Sequence, residues 1–186
     1  LKIDAAGREQ WRSEIQTNLG RPVSFFHIAL APRTGDVYVS GTYDGQFPGK
    51  PAEATGTPFL AKFGSDGKRA WLEQSDKLGS RQGMVVDSSG NAYLLGRASV
   101  STLDVTKVNP AGKVVWHSTG IPNDRGANQN IAVSPDGKGV YVGSTTVTKL
   151  NAKGGVVWTQ KYDLTHETKI DPVEGVISKG SASPKT

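Results

Sequence analysis

The chain has 186 residues and a formal net charge of +5; 23 residues are Gly, 10 are Pro and none is Cys. That length suits one domain with a sizeable core, and the missing Cys excludes disulfides, thiolate metal sites and a Cys nucleophile. No apolar stretch is long enough to cross a membrane as a helix, and a surplus of 22 basic over 17 acidic residues without a basic run admits an anionic partner but does not point to nucleic acid.

The chain opens on Lys2-Ile3, then Gly7, then Trp11. The same spacing returns at Lys62-Phe63, Gly67 and Trp71, at Lys107-Val108, Gly112 and Trp116, and at Lys149-Leu150, Gly154 and Trp158. All four tryptophans belong to this pattern, at intervals of 60, 45 and 42 residues. No secretory signal is read at the N-terminus. Because the first residue is Leu1 and the single Met is Met84, we expect a chain processed or cut from a longer one. Glu9 to Thr17 can be tried as a helix, but Trp11 keeps the strand register of the other copies.

Between the tryptophans lie paired strands. Ile28 to Pro32 precedes Val37 to Gly41, and Ile131 to Pro135 precedes Val140 to Gly143 at the same interval. Met84 to Asp87 with Ala92 to Gly96 is the same unit, one residue shorter. Gly and Asn in the intervening turns supply the positive φ that tight hairpins require. The Trp segment then adds two strands joined by another Gly turn. Four antiparallel strands in a period of roughly 40–50 residues predict a β-propeller blade.

We therefore expect an all-β fold, a β-propeller of four-stranded antiparallel blades, over residues 1–180, with 181–186 as a tail. Residues 23–75, 82–118 and 129–161 each form a blade. Residues 1–15 form the outer half of a further blade, and 168–180, laid on Met84 to Gly96, form its inner half. From Trp158 to the end is 28 residues, and 11 more reach Trp11, close to one period. The expected ring thus has four blades with the termini sharing one, which removes exposed sheet edges. The alternative is a fragment of a larger propeller.

The segments Val86-Asp87-Ser88-Ser89-Gly90-Asn91-Ala92-Tyr93-Leu94-Leu95-Gly96 and Gly41 to Pro48, with the Lys–Gly–Trp spacing, resemble the bacterial seven-bladed β-propeller (SBBP) repeat family over about residues 1–160. Gly155-Val156-Val157-Trp158 is also similar to quinoprotein-like propeller repeats, whose Trp docks one blade on the next. The resemblance implies a bacterial, often exported protein with no single activity. The chain departs from that family in having roughly four repeats.

The repeated Trp11, Trp71, Trp116 and Trp158 are read as blade packing. The repeated Lys is read as a solvated strand residue, and Tyr38, Tyr93 and Tyr141 as core residues with outward hydroxyls. Loops between blades surround one mouth of a propeller, and three of them carry Arg21, Arg81 and Arg125, with His166 in the fourth. Guanidinium forks suit carboxylate and phosphate, so these four residues are the candidate ligand- or partner-binding set. Phe47, in a Pro/Gly-rich insertion from Tyr43 to Thr57, is expected to be exposed as a further partner contact. His27 is read as a satisfied strand residue and His117 as facing solvent.

Chemistry-bearing motifs are sparse. No His pair has ligand spacing, and no Gly-x-Ser-x-Gly elbow or phosphate loop occurs. We expect no metal, no cofactor and no catalytic residue. The expected function is non-catalytic recognition or scaffolding of a protein or glycan partner, anionic ones included. The alternative is an extracellular propeller enzyme, a lyase or glycosidase acting on a polymer.

Overall fold

A computed structural model of the protein describes residues 1–15, 17, 23–45, 47–49, 56–79, 82–123, 129–144 and 146–161. A short hairpin comes first, β1 (Lys2–Ile3) with β2 (Glu9–Trp11). Three four-stranded antiparallel sheets follow. The first contains β3 (Val23–Leu30), β4 (Val37–Tyr43), β5 (Thr57–Phe63) and β6 (Arg69–Gln74). The second contains β7 (Gly83–Val86), β8 (Ala92–Arg97), β9 (Thr102–Val108) and β10 (Val114–Pro122). The third contains β11 (Asn130–Val133), β12 (Gly139–Gly143), β13 (Thr146–Asn151) and β14 (Val156–Lys161). Each is a simple meander in sequence order.

The first strands of the sheets, β3, β7 and β11, lie next to one another. The second sheet packs against both of the others, so its middle strands are covered on both sides. The burial pattern follows: Leu60, Leu94, Leu95, Val105 and Leu150 are fully buried, on β5, β8, β9 and β13. Strands covered on both faces read as near-continuous apolar runs rather than alternating ones. Tyr93-Leu94-Leu95 on β8 is such a run, with all three residues inaccessible to solvent. Three clusters form the core, and two of them straddle neighbouring sheets: Tyr38 and Leu60 pack with Leu94 and Val108, while Leu95 and Val105 pack with Val140 and Leu150.

Each Trp-bearing hairpin carries an irregularity just before its Trp. Trp71 pairs with Lys62 while Arg69 pairs with Phe63, so Ala70 is one residue too many. The same extra residue precedes the other three tryptophans, at Gln10, Val115 and Val157. A bulge of this kind bends the strand and re-aims the following side chain. Here the re-aimed side chain is always the indole.

Two expectations are altered by this packing. Phe47 is not exposed. It is 2% accessible and packs against Tyr43 (ring centroids 4.5 Å apart) and Phe59 (5.3 Å, edge to face). Nearby, Gln74 Nε2 donates to the Gly45 carbonyl at 3.1 Å. Burying an aromatic ring stabilises by on the order of 2–3 kcal/mol relative to leaving it exposed at a loop tip. The second alteration concerns His27. Its Nε2 and the hydroxyl of Ser40, its direct cross-strand partner, are both buried and have no hydrogen-bond partner among the described residues.

Candidate functional site

The repeated residues assemble at the junctions between sheets. Across three strands the ladder places Tyr38 opposite Lys62 and Lys62 opposite Trp71. Tyr93, Lys107 and Trp116 repeat the row in the second sheet, as do Tyr141, Lys149 and Trp158 in the third. The ammonium groups lie over the Tyr rings, at 5.7, 5.1 and 5.6 Å from their centroids. Lys62, Lys107 and Lys149 are therefore half-buried against a Tyr ring, an arrangement of cation–π type, whereas Lys2 is exposed as expected. Lys62 also bridges Asp36 at 2.9 Å. This hydrogen bond holds the Asp36 carboxyl below its ordinary value.

Three of the four indoles then reach the neighbouring sheet. Trp11 Nε1 donates to the Ser65 carbonyl, Trp71 Nε1 to Pro110 and Trp116 Nε1 to Ala152, all at 2.9 Å. In every case the acceptor lies two residues before the Gly of the next Lys–Gly–Trp hairpin. That Gly must be Gly: its φ is +83° at Gly67, Gly112 and Gly154, and a Cβ at Gly67 would come 2.6 Å from the Trp11 ring. An indole N–H given a carbonyl, and a flat ring given a bare backbone, make one repeated docking joint.

The tyrosines add a second link. Tyr38 is fully buried and its hydroxyl donates to the Gly90 carbonyl in the next sheet at 2.7 Å. Tyr93 donates to Asp87 Oδ2 at 2.9 Å and lies 3.5 Å from the Gly137 carbonyl of the third sheet. The hydroxyls thus face the neighbouring turn and not solvent. Burial, with Asp87 beside it, pushes the Tyr93 hydroxyl well above its ordinary value.

A titratable pair sits beside the β6–β7 connection. Asp104 on β9 is buried, and the backbones of Gly79 and Gly96 close on its carboxyl, where a Cβ would lie 2.7 and 2.6 Å from its oxygens. Burial raises its carboxyl above the ordinary value, against the opposing pull of His117. His117 Nε2 faces Asp104 Oδ2 at 3.9 Å. The Thr106 hydroxyl donates its proton to the Lys77 carbonyl, so it accepts from His117 Nδ1 at 2.8 Å. His117 is exposed, as expected, while its Nδ1 is fixed on Thr106. Thr106 is fully buried with its proton committed, so no nucleophile is presented.

One large cavity, about 980 Å³, lies between the β1–β2 hairpin and β3. Its walls are mostly apolar and include Leu1, Ile3, Ile28 and Leu30, which are 65%, 58%, 72% and 62% accessible. Arg21, Arg81, Arg125 and His166, the residues expected around the mouth, lie outside the described residues, as does the segment 168–180. The Thr106–His117 link and the indole acceptors carried no signal in the sequence beyond the recurrence of the Trp itself.

No family model matches the chain, and no curated protein does. Among solved structures, one titled "Crystal structure of the eukaryotic initiation factor" is similar in fold, with a TM-score of 0.52 and 12% identity. The match covers 79% of this chain and 34% of that one, so the chain spans about a third of the length of the structure it matches. At that identity the likeness concerns the fold alone.

Proposed function

We propose that this chain is a propeller-type recognition or scaffold module of the SBBP-like repeat class, with four blades per chain. The half blade β1–β2 is completed by a segment such as 168–180, and the loops between blades bind a protein or glycan partner. One observation carries the reading: Trp11, Trp71 and Trp116 are engaged in joints between sheets, and Lys62, Lys107 and Lys149 pack on Tyr rings of their own sheets. A scaffold whose invariant residues are structural leaves recognition to the segments that differ between repeats. Those segments are the three connections entering β3, β7 and β11. Arg21, Arg81 and Arg125 fall in them, and guanidinium groups there suit an anionic partner.

The test is a screen of glycans and of proteins captured from a matched source. Binding should drop at least tenfold in the triple variant Arg21→Ala, Arg81→Ala, Arg125→Ala, with the native circular dichroism retained. Unchanged binding in that variant removes the loops from the reading. Turnover of a polysaccharide by the purified chain would replace the reading with the enzyme alternative.

A further inference from the structure

The second sheet departs from its neighbours at positions that carry chemistry. Three positions can be compared: three residues before the repeated Lys, one before it, and one after the repeated Trp. In the first sheet they hold Phe59, Ala61 and Leu72, all buried. In the third they hold Thr146, Thr148 and Thr159, and the hydroxyls of Thr148 and Thr159 satisfy each other at 3.0 Å. The second sheet puts Asp104, Thr106 and His117 there. The fold therefore does not need a carboxylate at this place, and burying one is costly without a compensating partner. Asp104 is 7% accessible. Among the described residues its carboxyl has its own backbone N–H and, at 3.9 Å, His117 Nε2. The imidazole that faces it is already set. The Thr106 hydroxyl gives its proton to the Lys77 carbonyl and accepts from His117 Nδ1 at 2.8 Å. In the neutral ring Nε2 then carries no proton, so a lone pair faces a carboxylate oxygen. Such a pair repels unless something positive lies between its members.

We propose that Asp104 and His117 hold one divalent transition-metal ion of the zinc type, through Oδ2 and Nε2, with Thr106 as the positioning residue that fixes the ring. The width of the gap favours an ion over its rivals. At 3.9 Å it exceeds a hydrogen bond, which spans about 2.7–3.2 Å. It is too narrow for a bridging water, whose two bonds of about 2.8 Å span about 4.6 Å at the tetrahedral angle. A zinc-type ion sits about 2.0–2.1 Å from nitrogen and about 2.0–2.2 Å from oxygen, so its ligands lie about 3.4 Å apart at the tetrahedral angle. Closing the gap then asks the ring to move by roughly half an ångström. A ligating imidazole whose other nitrogen donates to a fixed acceptor is the usual way a protein sets the tautomer at a metal. The ion has a path in, because the His117 side chain is 28% accessible and that of Asp104 is 10% accessible. Among the described residues no third His, Asp or Glu joins the pair. The remaining positions on the ion belong to water, so the ion exchanges with solvent. Absence of any His pair at ligand spacing hides such a site in the sequence; the strand ladder builds a mixed pair instead. The site shares no residue with the loops of the recognition reading, so either can fail alone.

The experiment is equilibrium dialysis of the full chain against zinc chloride at neutral pH, with circular dichroism on every variant. One zinc per chain is expected. Asp104→Asn and His117→Gln, both close in shape to the native residue, should each weaken it at least about tenfold, and His166→Gln should leave it unchanged. Thr106→Val keeps the shape but releases Nδ1, and should weaken it about tenfold, as changes behind a metal ligand do. Nitrogen NMR of isotope-labelled His reads the native chain without any variant. Zinc should shift Nε2 of His117 while Nδ1 keeps its proton. In Thr106→Val without zinc, the same spectra should show both tautomers of His117, which a merely structural threonine would not produce. Acidification should release the ion, because Nε2 must be bare to bind. A chain that takes up no zinc in excess of the metal overturns the proposal. So does zinc held equally by Asp104→Asn or His117→Gln, or a zinc shift at Nδ1 of His117 in place of Nε2. Native affinity and a single tautomer in Thr106→Val would remove its positioning role.

Discussion

The junction between the second and third sheets and the far face of the third sheet are made of the same residues, and among the described residues only the first has a partner. Trp116 donates to Ala152 and lies against Gly154; Trp158, with the same bulge, the same Lys and the same Tyr, is left half exposed. The difference lies wholly in what comes next along the stack. An indole on a sheet face is worth little until a turn with a free carbonyl and no Cβ stands opposite it. The repeat unit is thus incomplete by itself, as in repeat proteins generally, where stability resides in nearest-neighbour interfaces.

Removing the indole from each side of this comparison should give the largest contrast. Trp71→Ala opens a finished joint and should cost about 2–4 kcal/mol, the lower part of the range for large-to-small core changes because Trp71 is only half-buried. Trp158→Ala should cost less than about 1 kcal/mol. Equal losses in urea denaturation would mean that the two indoles have equivalent surroundings, and the contrast would fall.

The glycine turns come next. Gly112→Ala places a Cβ 3.1 Å from the Trp71 ring in a left-handed backbone, whereas Gly7→Ala meets only the backbone penalty. The expected losses are about 2–3 and about 1–2 kcal/mol. Thermal unfolding of the pair reads the difference directly.

The tyrosine link should be smaller. Tyr93→Phe removes the hydroxyl from the buried Asp87 carboxylate and should cost about 1–2 kcal/mol. Asp87 retains the backbone N–H of Ser89 and of Asn91, which limits the effect. Tyr141→Phe, at the open face, should be neutral to within about 0.5 kcal/mol.

The smallest effect is one of pH, and it separates two carboxylates. The Asp36 carboxyl is held low by Lys62, so its contribution is present above the ordinary value of 3.8 and is lost as pH falls through the lowered one. The Asp104 carboxyl is raised by burial, so the unfolded chain releases that proton first and stability falls as pH rises from 3.8 through the raised value. Asp104→Asn should therefore gain on the native protein across that window, and Asp36→Asn should lose on it above 3.8. Parallel denaturation midpoints of both variants over this range would break the distinction.

Much of the architecture was legible because it is periodic. The Lys–Gly–Trp spacing, the Gly turns and the Val- and Tyr-rich strands give three meanders and a half hairpin, and those are the sheets observed. Phe47 was misjudged because a Pro/Gly-rich insertion reads as a loop tip, and nothing local tells that Tyr43 and Phe59 wait to cover the ring. Lys62, Lys107 and Lys149 were misjudged because a strand Lys is ordinarily solvated, and only cross-strand register sets it against a Tyr ring. The Thr106–His117 link was not legible because alternation fixes the side of a strand but not what the neighbouring loop brings to it, here the Lys77 carbonyl through Thr106.

By itself, then, the sequence determined the repeat unit: which residues form strands, where they turn, and that one indole recurs in phase. Tertiary structure alone decided what each indole is for. The donor and its acceptor are separated by 54, 39 and 36 residues in the three joints, beyond the reach of any local pattern. Strand and turn preferences act over a few neighbouring residues, whereas a joint exists only once two separately folded sheets have been brought face to face.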